Sequence, residues 1–391
     1  MKHTDLMPAI GQAEVEGIMR GPVSMQRHDG ISVACYRDEI PSFAQAELTR
    51  LYGSEYASLE HMRIYGGASG ASTYVERDDK GIVNLLLYRV EGRAAIVLNE
   101  MIAVDAALAS RFCRTLFDSR QDLDTIAFNA IRRSFDTLSF PHQCIEHSED
   151  IVIPLPATRE EYLARFGKAT RKNLKQHLNR AERGLPSFRF EVHAGQEIQE
   201  QDLRAIVALN HARMALLGKT SYLDEAETMR LLRLVRECGF ISLIRVDGKI
   251  CAGAIYARFG DNFFSQVNAH DPAYDEWRLG ILSCYLTICD CIARGGREFH
   301  LLWGRLPYKY MLQGVQVDLA RLTIYRSRAA MLRHAVPVMR NWAFAAVRTA
   351  KYWMLAPERE KQPVVGALVR MLLMLRTLRQ LHKRRRPAAA E

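Results

Sequence analysis

The stretch "FISLIRVDGKICAGAIYARFGDNFFSQVNAH" (residues 240–270) decides the fold. It holds three runs rich in apolar and β-branched residues, 240–246, 250–258 and 263–269. Asp247-Gly248 separates the first two and is a strong two-residue hairpin signal, because both turn positions need positive φ. "FGDN" (259–262) turns the chain again. The three runs therefore predict an antiparallel meander. "RLGILSCYLTICDCIARGG" (278–296) follows with helical length and apolar spacing, stopped by Gly295-Gly296. "REFHLLW" (297–303) and "VDLARLTIY" (317–325) predict two further strands.

A weaker copy of this order lies upstream. "STYVER" (72–77), "IVNLLLYRV" (82–90) and "AAIVLN" (94–99) predict a second meander. Helical "DAALASRFCRTLFDSR" (105–120) and strand "LDTIAFNAI" (123–131) come next. No residue-level repeat links the two, but the shared order predicts two copies of one α/β architecture, each a mixed central sheet flanked by helices. Between the copies, Thr158 with Glu161 three residues on forms a capping box opening "TREEYLARFGKATRKNLKQHLNRAERGL" (158–185). Its second half is basic, with Lys168, Arg171, Lys172, Lys175, Arg180 and Arg183, and Gly184 is placed to end it. Residues 211–238 predict two more helices around a Gly-containing turn.

Hydrophobic residues make up 48% of the 391-residue chain and charged residues 25%, so it can bury a core of about two domains. The net charge of +10 is unevenly placed. Residues 326–391 carry 15 Lys and Arg against three Glu, which leaves the first 325 residues with −2. A near-neutral body with a basic appendage argues against a nucleic-acid groove spread over the fold and for local contact with an anionic surface. The 8 cysteines include no C-x-x-C pair and sit largely in apolar runs, as small buried hydrophobes do in a reducing compartment. The 12 histidines include no H-x-x-x-H pair, so no metal site is expected. "MKHTDLMPAIGQAEVEG" (1–17) lacks the apolar core of an export signal. No apolar run approaches the ~20 residues of a spanning helix; the nearest, "PVVGALVRMLLMLRTL" (363–378), is broken by Arg370 and Arg376. A cytoplasmic protein, peripheral on the inner face of the plasma membrane through its tail, is the expectation. "YGGASGAS" (65–72) is Gly-rich but lacks both G-x-S-x-G and a Gly-Lys-Ser/Thr end, and reads as a loop.

"WRLGIL" (277–282) puts Arg278 and Gly280 at a helix start, where unpaired amides and the dipole favour an anion. Beyond this, "SQVNAHDPAYDEWRLGILSCYLTICDCIARGGREFHLLWGRLPYKYM" (265–311) resembles the GNAT acyltransferase superfamily. It is most similar to the cellulose-biosynthesis (CelD) type branch, related to the Fem-type peptidyltransferases. The features that carry the resemblance are the "DGKICAG" hairpin (247–253), a D-x-x-Y after the third strand, the Gly-Ile-Leu helix start, the "ARGG" helix end and the Tyr308-Lys309 pair. It covers residues 158–325.

The resemblance implies an acyl-CoA donor, acetyl-CoA above all, with its pyrophosphate at Arg278, Leu279, Gly280, Ile281 and Leu282. The glycines of the usual superfamily loop are fewer here. It matches that branch's Tyr-Lys pair to Tyr308 and Lys309, and the role expected for them here is at the transferred carbonyl, where an ammonium stabilises the oxyanion. Asp271, with His270 and Asp275 near it, is the candidate base for an amine acceptor. Arg171, Lys172 and Arg213 are candidate substrate-binding cations.

The expected organisation is a degenerate GNAT-like domain (1–157), an acyltransferase GNAT domain (158–325) and a basic amphipathic helical tail (326–391), cut by Pro337, Pro357 and Pro363. The expected activity is N-acyl transfer to a small or lipid-linked amine of a sugar-bearing envelope or polysaccharide precursor. Aminoacyl-tRNA-dependent transfer to a cell-wall precursor and a non-catalytic membrane scaffold are the alternatives.

Overall fold

The computed structural model describes residues 24–28, 30–185 and 187–354. In chain order, the described elements begin with β1 (Ser24–His28), β2 (Ile31–Tyr36), α1 (Ala44–Tyr52) and, after a 3-10 turn at Glu55–Ala57, α2 (Leu59–Ile64). Next come β3 (Ser72–Arg77), β4 (Ile82–Glu91), β5 (Ala94–Val97), β6 (Ala103–Val104), α3 (Ala106–Ser119), β7 (Thr125–Arg133) and β8 (His142–Pro154). The middle of the chain forms α4 (Arg159–Ala164), α5 (Lys168–Gly184), β9 (Arg189–Ala194), α6 (Glu200–Leu216) and α7 (Glu225–Cys238). Then follow β10 (Gly239–Val246), β11 (Lys249–Phe259), β12 (Asn262–His270), a 3-10 segment at Pro272–Trp277 and α8 (Leu279–Ala293). The series ends with β13 (Glu298–His300), α9 (Pro307–Met311), β14 (Val315–Tyr325), α10 (Arg328–Arg333) and α11 (Ala335–Met354). The architecture is the mixed α/β one expected.

The chain divides into two compact units that do not follow chain order. The first takes the described residues up to Val90, Ile96–Asn99 and Leu155–Phe299. The second takes Glu91–Ala95, Glu100–Pro154 and the described residues from His300 on.

In the first unit, β1, β2, β3 and β4 pair in order, all antiparallel. β9, β10, β11 and β12 form the second antiparallel run, and β10 and β11 meet at Asp247 (φ 50°) and Gly248 (φ 77°), as the Asp-Gly pair demands. Alternation along these strands builds two cores. Ile241, Leu243, Ile255 and Val267 pack with Leu203 and Ile206 of α6 and Leu231 and Val235 of α7. Ile244, Val246 and Cys251 meet Ala181 of α5 and Leu279 and Leu282 of α8. The meander is thus covered by helices on both faces. A third core joins α1 and α2 to Val75, Leu85 and Leu87.

In the second unit, β14 lies between β7 and β8, antiparallel to both, and β6 runs parallel to β7. The described end of the tail packs here. Gln143 on β8 donates to the carbonyl of Val338 (2.9 Å), and Asn341 donates back to the Gln143 side chain (3.0 Å).

Three expectations change. The strand expected over 297–303 ends at His300, because Leu302 takes φ 56° and leaves extended geometry. The helix expected over 158–185 breaks before Gly167 into α4 and α5, while its capping box forms: Thr158 accepts from the Glu161 amide (3.2 Å) and Glu161 from the Ala157 amide (3.2 Å). α6 starts at Glu200, ahead of the expected helix, because Leu203, Ile206 and Val207 continue its apolar face. As expected, the tail is cut near Pro337: α10 ends at Arg333, and Pro337 sits in the first turn of the 20-residue α11, where a missing amide costs little. The readings of residues 1–17 and of 355–391, with Pro357 and Pro363, lie outside the described residues. Among the described residues no helix is long and apolar enough to cross a membrane.

Candidate functional site

The exit of β12 brings several predicted residues onto one segment of the first unit. Asp271 caps the 3-10 segment, accepting from the Ala273 amide (3.0 Å) and from Lys249 Nζ (2.8 Å). The Lys249 ammonium holds the Asp271 carboxyl below the usual carboxylate range, so it stays ionised and is a weak proton acceptor. Before it, His270 Nε2 meets Asp275 Oδ1 at 2.7 Å. Arg278 then takes φ 56° to open α8, and its carbonyl accepts from the Ile281 and Leu282 amides (both 3.1 Å). Leu279 and Leu282 spend their side chains on the core, and the Leu282 amide is taken by the Arg278 carbonyl.

Gly280 has a different reason to be glycine. A Cβ there would lie 2.4 Å from His270 Nδ1. Asn268 Nδ2, two residues earlier on β12, donates to the Gly280 carbonyl (3.3 Å). The helix start is therefore seated directly on β12.

Arg180 of α5 stacks on Trp277 (4.6 Å from guanidinium carbon to ring centroid) and donates to both the carbonyl and the carboxylate of Glu276 (3.2 Å each). Gly184 lets Trp277 approach, since a Cβ there would fall 2.5 Å from its ring. Burial first, then Arg278 and Arg180, push the His177 imidazole below its ordinary range. His177 of α5 thus lies near Arg278. Arg171 donates to the Phe166 carbonyl (3.1 Å), Lys172 is exposed, and Arg213 is half-buried in the last turn of α6.

Tyr308 and Lys309 belong to the second unit. Lys309 is buried (4% exposed), and its Nζ donates to the carbonyls of Leu301 (2.6 Å), Leu302 (3.1 Å) and Trp303 (2.6 Å). An ammonium has three protons, and three carbonyls take them. Gly304, at φ 95°, donates its amide to buried Glu149 (3.1 Å). Glu149 also takes the Arg348 guanidinium and the Tyr352 hydroxyl (3.3 Å) from α11. In the same unit His300 Nδ1 lies 2.6 Å from Asp150 Oδ2, both buried.

Two more groups were absent from the sequence reading. Glu55, fully buried, holds His61 Nδ1 at 3.1 Å and accepts from Gln266 Nε2 of β12 at 2.7 Å. His61 stacks on Tyr65, with ring centroids 4.4 Å apart. No spacing signal marks these residues, since Gln266 is 211 residues from Glu55. Among the cysteines, burial pushes the Cys113 and Cys291 thiols well above their ordinary range, which disfavours a thiolate nucleophile. Among the described residues no group of three or more His, Cys, Asp and Glu side chains is arranged to hold a metal ion.

Residues 168–310 match the family model described as an acetyltransferase (GNAT) domain. That span runs from the start of α5 to α9 and contains the β12–α8 junction. The solved structure of FemX is similar in fold, at 9% identity over 77% of this chain and 99% of that one, with a TM-score of 0.56. L-PGS from Bacillus licheniformis is 15% identical over 80% and 99% of the two chains, with a TM-score of 0.47. A tandem GNAT protein from the clavulanic acid biosynthesis pathway is 14% identical over 65% and 82%, with a TM-score of 0.34. No curated protein matches the sequence significantly. Residues 168–310 are thus similar to a GNAT acetyltransferase domain, and at this identity the FemX likeness is one of fold.

Proposed function

We propose that the protein is an N-acyltransferase that moves an acyl group, acetyl above all, from acyl-CoA to an amine of a sugar-bearing envelope or polysaccharide precursor. The observation that carries this reading is the cationic helix start. Arg278 and the Leu279 and Gly280 amides open α8 within the GNAT match, which suits a diphosphate. Transfer is direct: the amine attacks the thioester carbonyl, the C–N bond forms, and the C–S bond breaks as the thiolate leaves. The relation to the CelD-type branch and the division at 157/158 and 325/326 stand as part of the same proposal. Release of free CoA thiol from acetyl-CoA, dependent on added amine, tests the reading.

Within it, Asp271 is proposed as a structural cap whose carboxylate fixes Lys249 and the turn into α8. Lys309 is proposed as a positioning residue. With its protons on three carbonyls it organises the strand exit at 301–303 rather than meeting the donor carbonyl itself, and Tyr308 is carried on the same short helix. Arg171, Lys172 and Arg213 are retained as acceptor-binding cations.

The second reading is aminoacyl-tRNA-dependent transfer to a cell-wall precursor. The FemX likeness over 99% of that chain favours it. Donor competition separates the two: an aminoacyl-tRNA that supports transfer where acetyl-CoA does not selects the second.

The tail is proposed to rest on an anionic membrane surface. Leu332, Val336, Met339 and Trp342 (58% exposed) are exposed along α10 and α11, and 15 cations lie within 326–391. Exposed apolar side chains on a cation-rich segment suit a headgroup layer.

A further inference from the structure

The amine acceptor must lose a proton, and Asp271, held low by Lys249, is a poor group to take it. The first unit contains a better one. His61, in the first turn of α2, has Nδ1 3.1 Å from the buried Glu55 carboxylate. Its ring is fixed between Tyr56 (4.8 Å between centroids) and Tyr65 (4.4 Å). With the proton on Nδ1 donated to Glu55, Nε2 presents its lone pair. Nε2 makes no hydrogen bond among the described residues, and the side chain keeps 18% of its surface. A carboxylate that orients one imidazole nitrogen and stabilises the imidazolium is the arrangement by which proteins make histidine a base.

The dyad is tied to the strand that leads to the candidate donor site. The second Glu55 oxygen accepts from Gln266 Nε2 at 2.7 Å. Two residues further along β12, about 7 Å at strand spacing, Asn268 binds the Gly280 carbonyl at the start of α8. On the other side, Tyr222 is exposed and donates to the Gln266 carbonyl (3.3 Å), offering an aromatic face beside the dyad. The Tyr65 hydroxyl donates to Glu227 (2.8 Å), which holds the stacked ring in place.

We infer that Glu55–His61 is the acid–base dyad of the acyl transfer, with His61 Nε2 taking the proton from the acceptor ammonium and Glu55 positioning the ring. The inference rests on the acyltransferase reading above. In balance, R–NH3+ gives one proton to His61, and the neutral amine attacks the thioester carbonyl. The C–N bond forms, the C–S bond breaks, and the second proton lost by nitrogen goes to the departing thiolate. His61 then returns its proton to solvent.

The test uses the full chain, acetyl-CoA and two amines in mildly acidic buffer. Glucosamine is largely protonated there and needs the base, whereas hydroxylamine is largely neutral and does not. His61→Gln is expected to slow transfer to glucosamine about 100-fold, to slow transfer to hydroxylamine far less, and to leave the KM for acetyl-CoA in place. Glu55→Gln, which keeps the shape, is expected to show the same selectivity to a smaller degree, and decides the matter if His61→Gln does not fold. Equal losses toward both amines, or no loss, overturn the dyad while leaving the transferase reading standing. No transfer to either amine by the wild-type protein overturns the acyl-CoA reading itself, and the dyad's role with it.

Discussion

Gly280 lies under the His270 ring, so close that a Cβ at 280 would come within 2.4 Å of Nδ1. A helix start that sequence alone marks as an anion site is therefore first a packing site. Gly280→Ala is expected to cost about 1–3 kcal/mol through overpacking and to weaken CoA binding by displacing the first amides of α8. The double variant Gly280→Ala/His270→Ala should recover much of the stability. Urea unfolding of the four proteins of this cycle checks it, and additive losses would show that the two residues do not compete for space.

Lys309→Met removes the donor from three carbonyls inside the second unit. Stranding buried acceptors of this kind should cost about 3 kcal/mol or more. A lowered urea midpoint is the expected result. A variant as stable as wild type but without activity would instead place the ammonium at the reacting carbonyl.

Asp271 gives a pH dependence of known sign. Its folded-state carboxyl is held below its unfolded value, chiefly by the Lys249 hydrogen bond. The stability it contributes is therefore full above the ordinary Asp range and lost as pH falls through the lowered value. Lys249→Ala should move the Asp271 titration back up and shift this loss to higher pH. Carboxyl-resolved NMR titration reads both, and an unmoved Asp271 would remove Lys249 as the cause.

Trp342 and Met339 are exposed on α11 while Gln143 and Glu149 hold its other face to β8. Trp342→Ser with Met339→Ser should weaken co-sedimentation with phosphatidylglycerol vesicles about tenfold or more without lowering thermal stability. Undiminished sedimentation would show that this face is not the contact.

The fold was legible because its signals are local. Asp247-Gly248 fixes a hairpin, and the runs of β10 to β12 alternate between two helical layers, so period and turn chemistry agree. Strand limits were harder where a distant group sets them. Leu301 and Leu302 are apolar enough for a strand, but Leu302 turns to φ 56° and Lys309, seven residues on, gathers the exposed carbonyls. The helix start at Arg278 and Gly280 was legible, although the crowding of Gly280 by His270 was not. The Glu55–His61–Gln266 cluster was invisible for a plain reason: its parts come together only when α2 and β12 fold into one unit.

The central claim is that the start of α8 receives an acyl-CoA donor, and calorimetric titration of the full chain with CoA tests it most directly. Saturable 1:1 binding, weakened in Arg278→Ala and in Gly280→Ala, is the predicted result. No heat and no thermal stabilisation at high CoA concentration would contradict the claim.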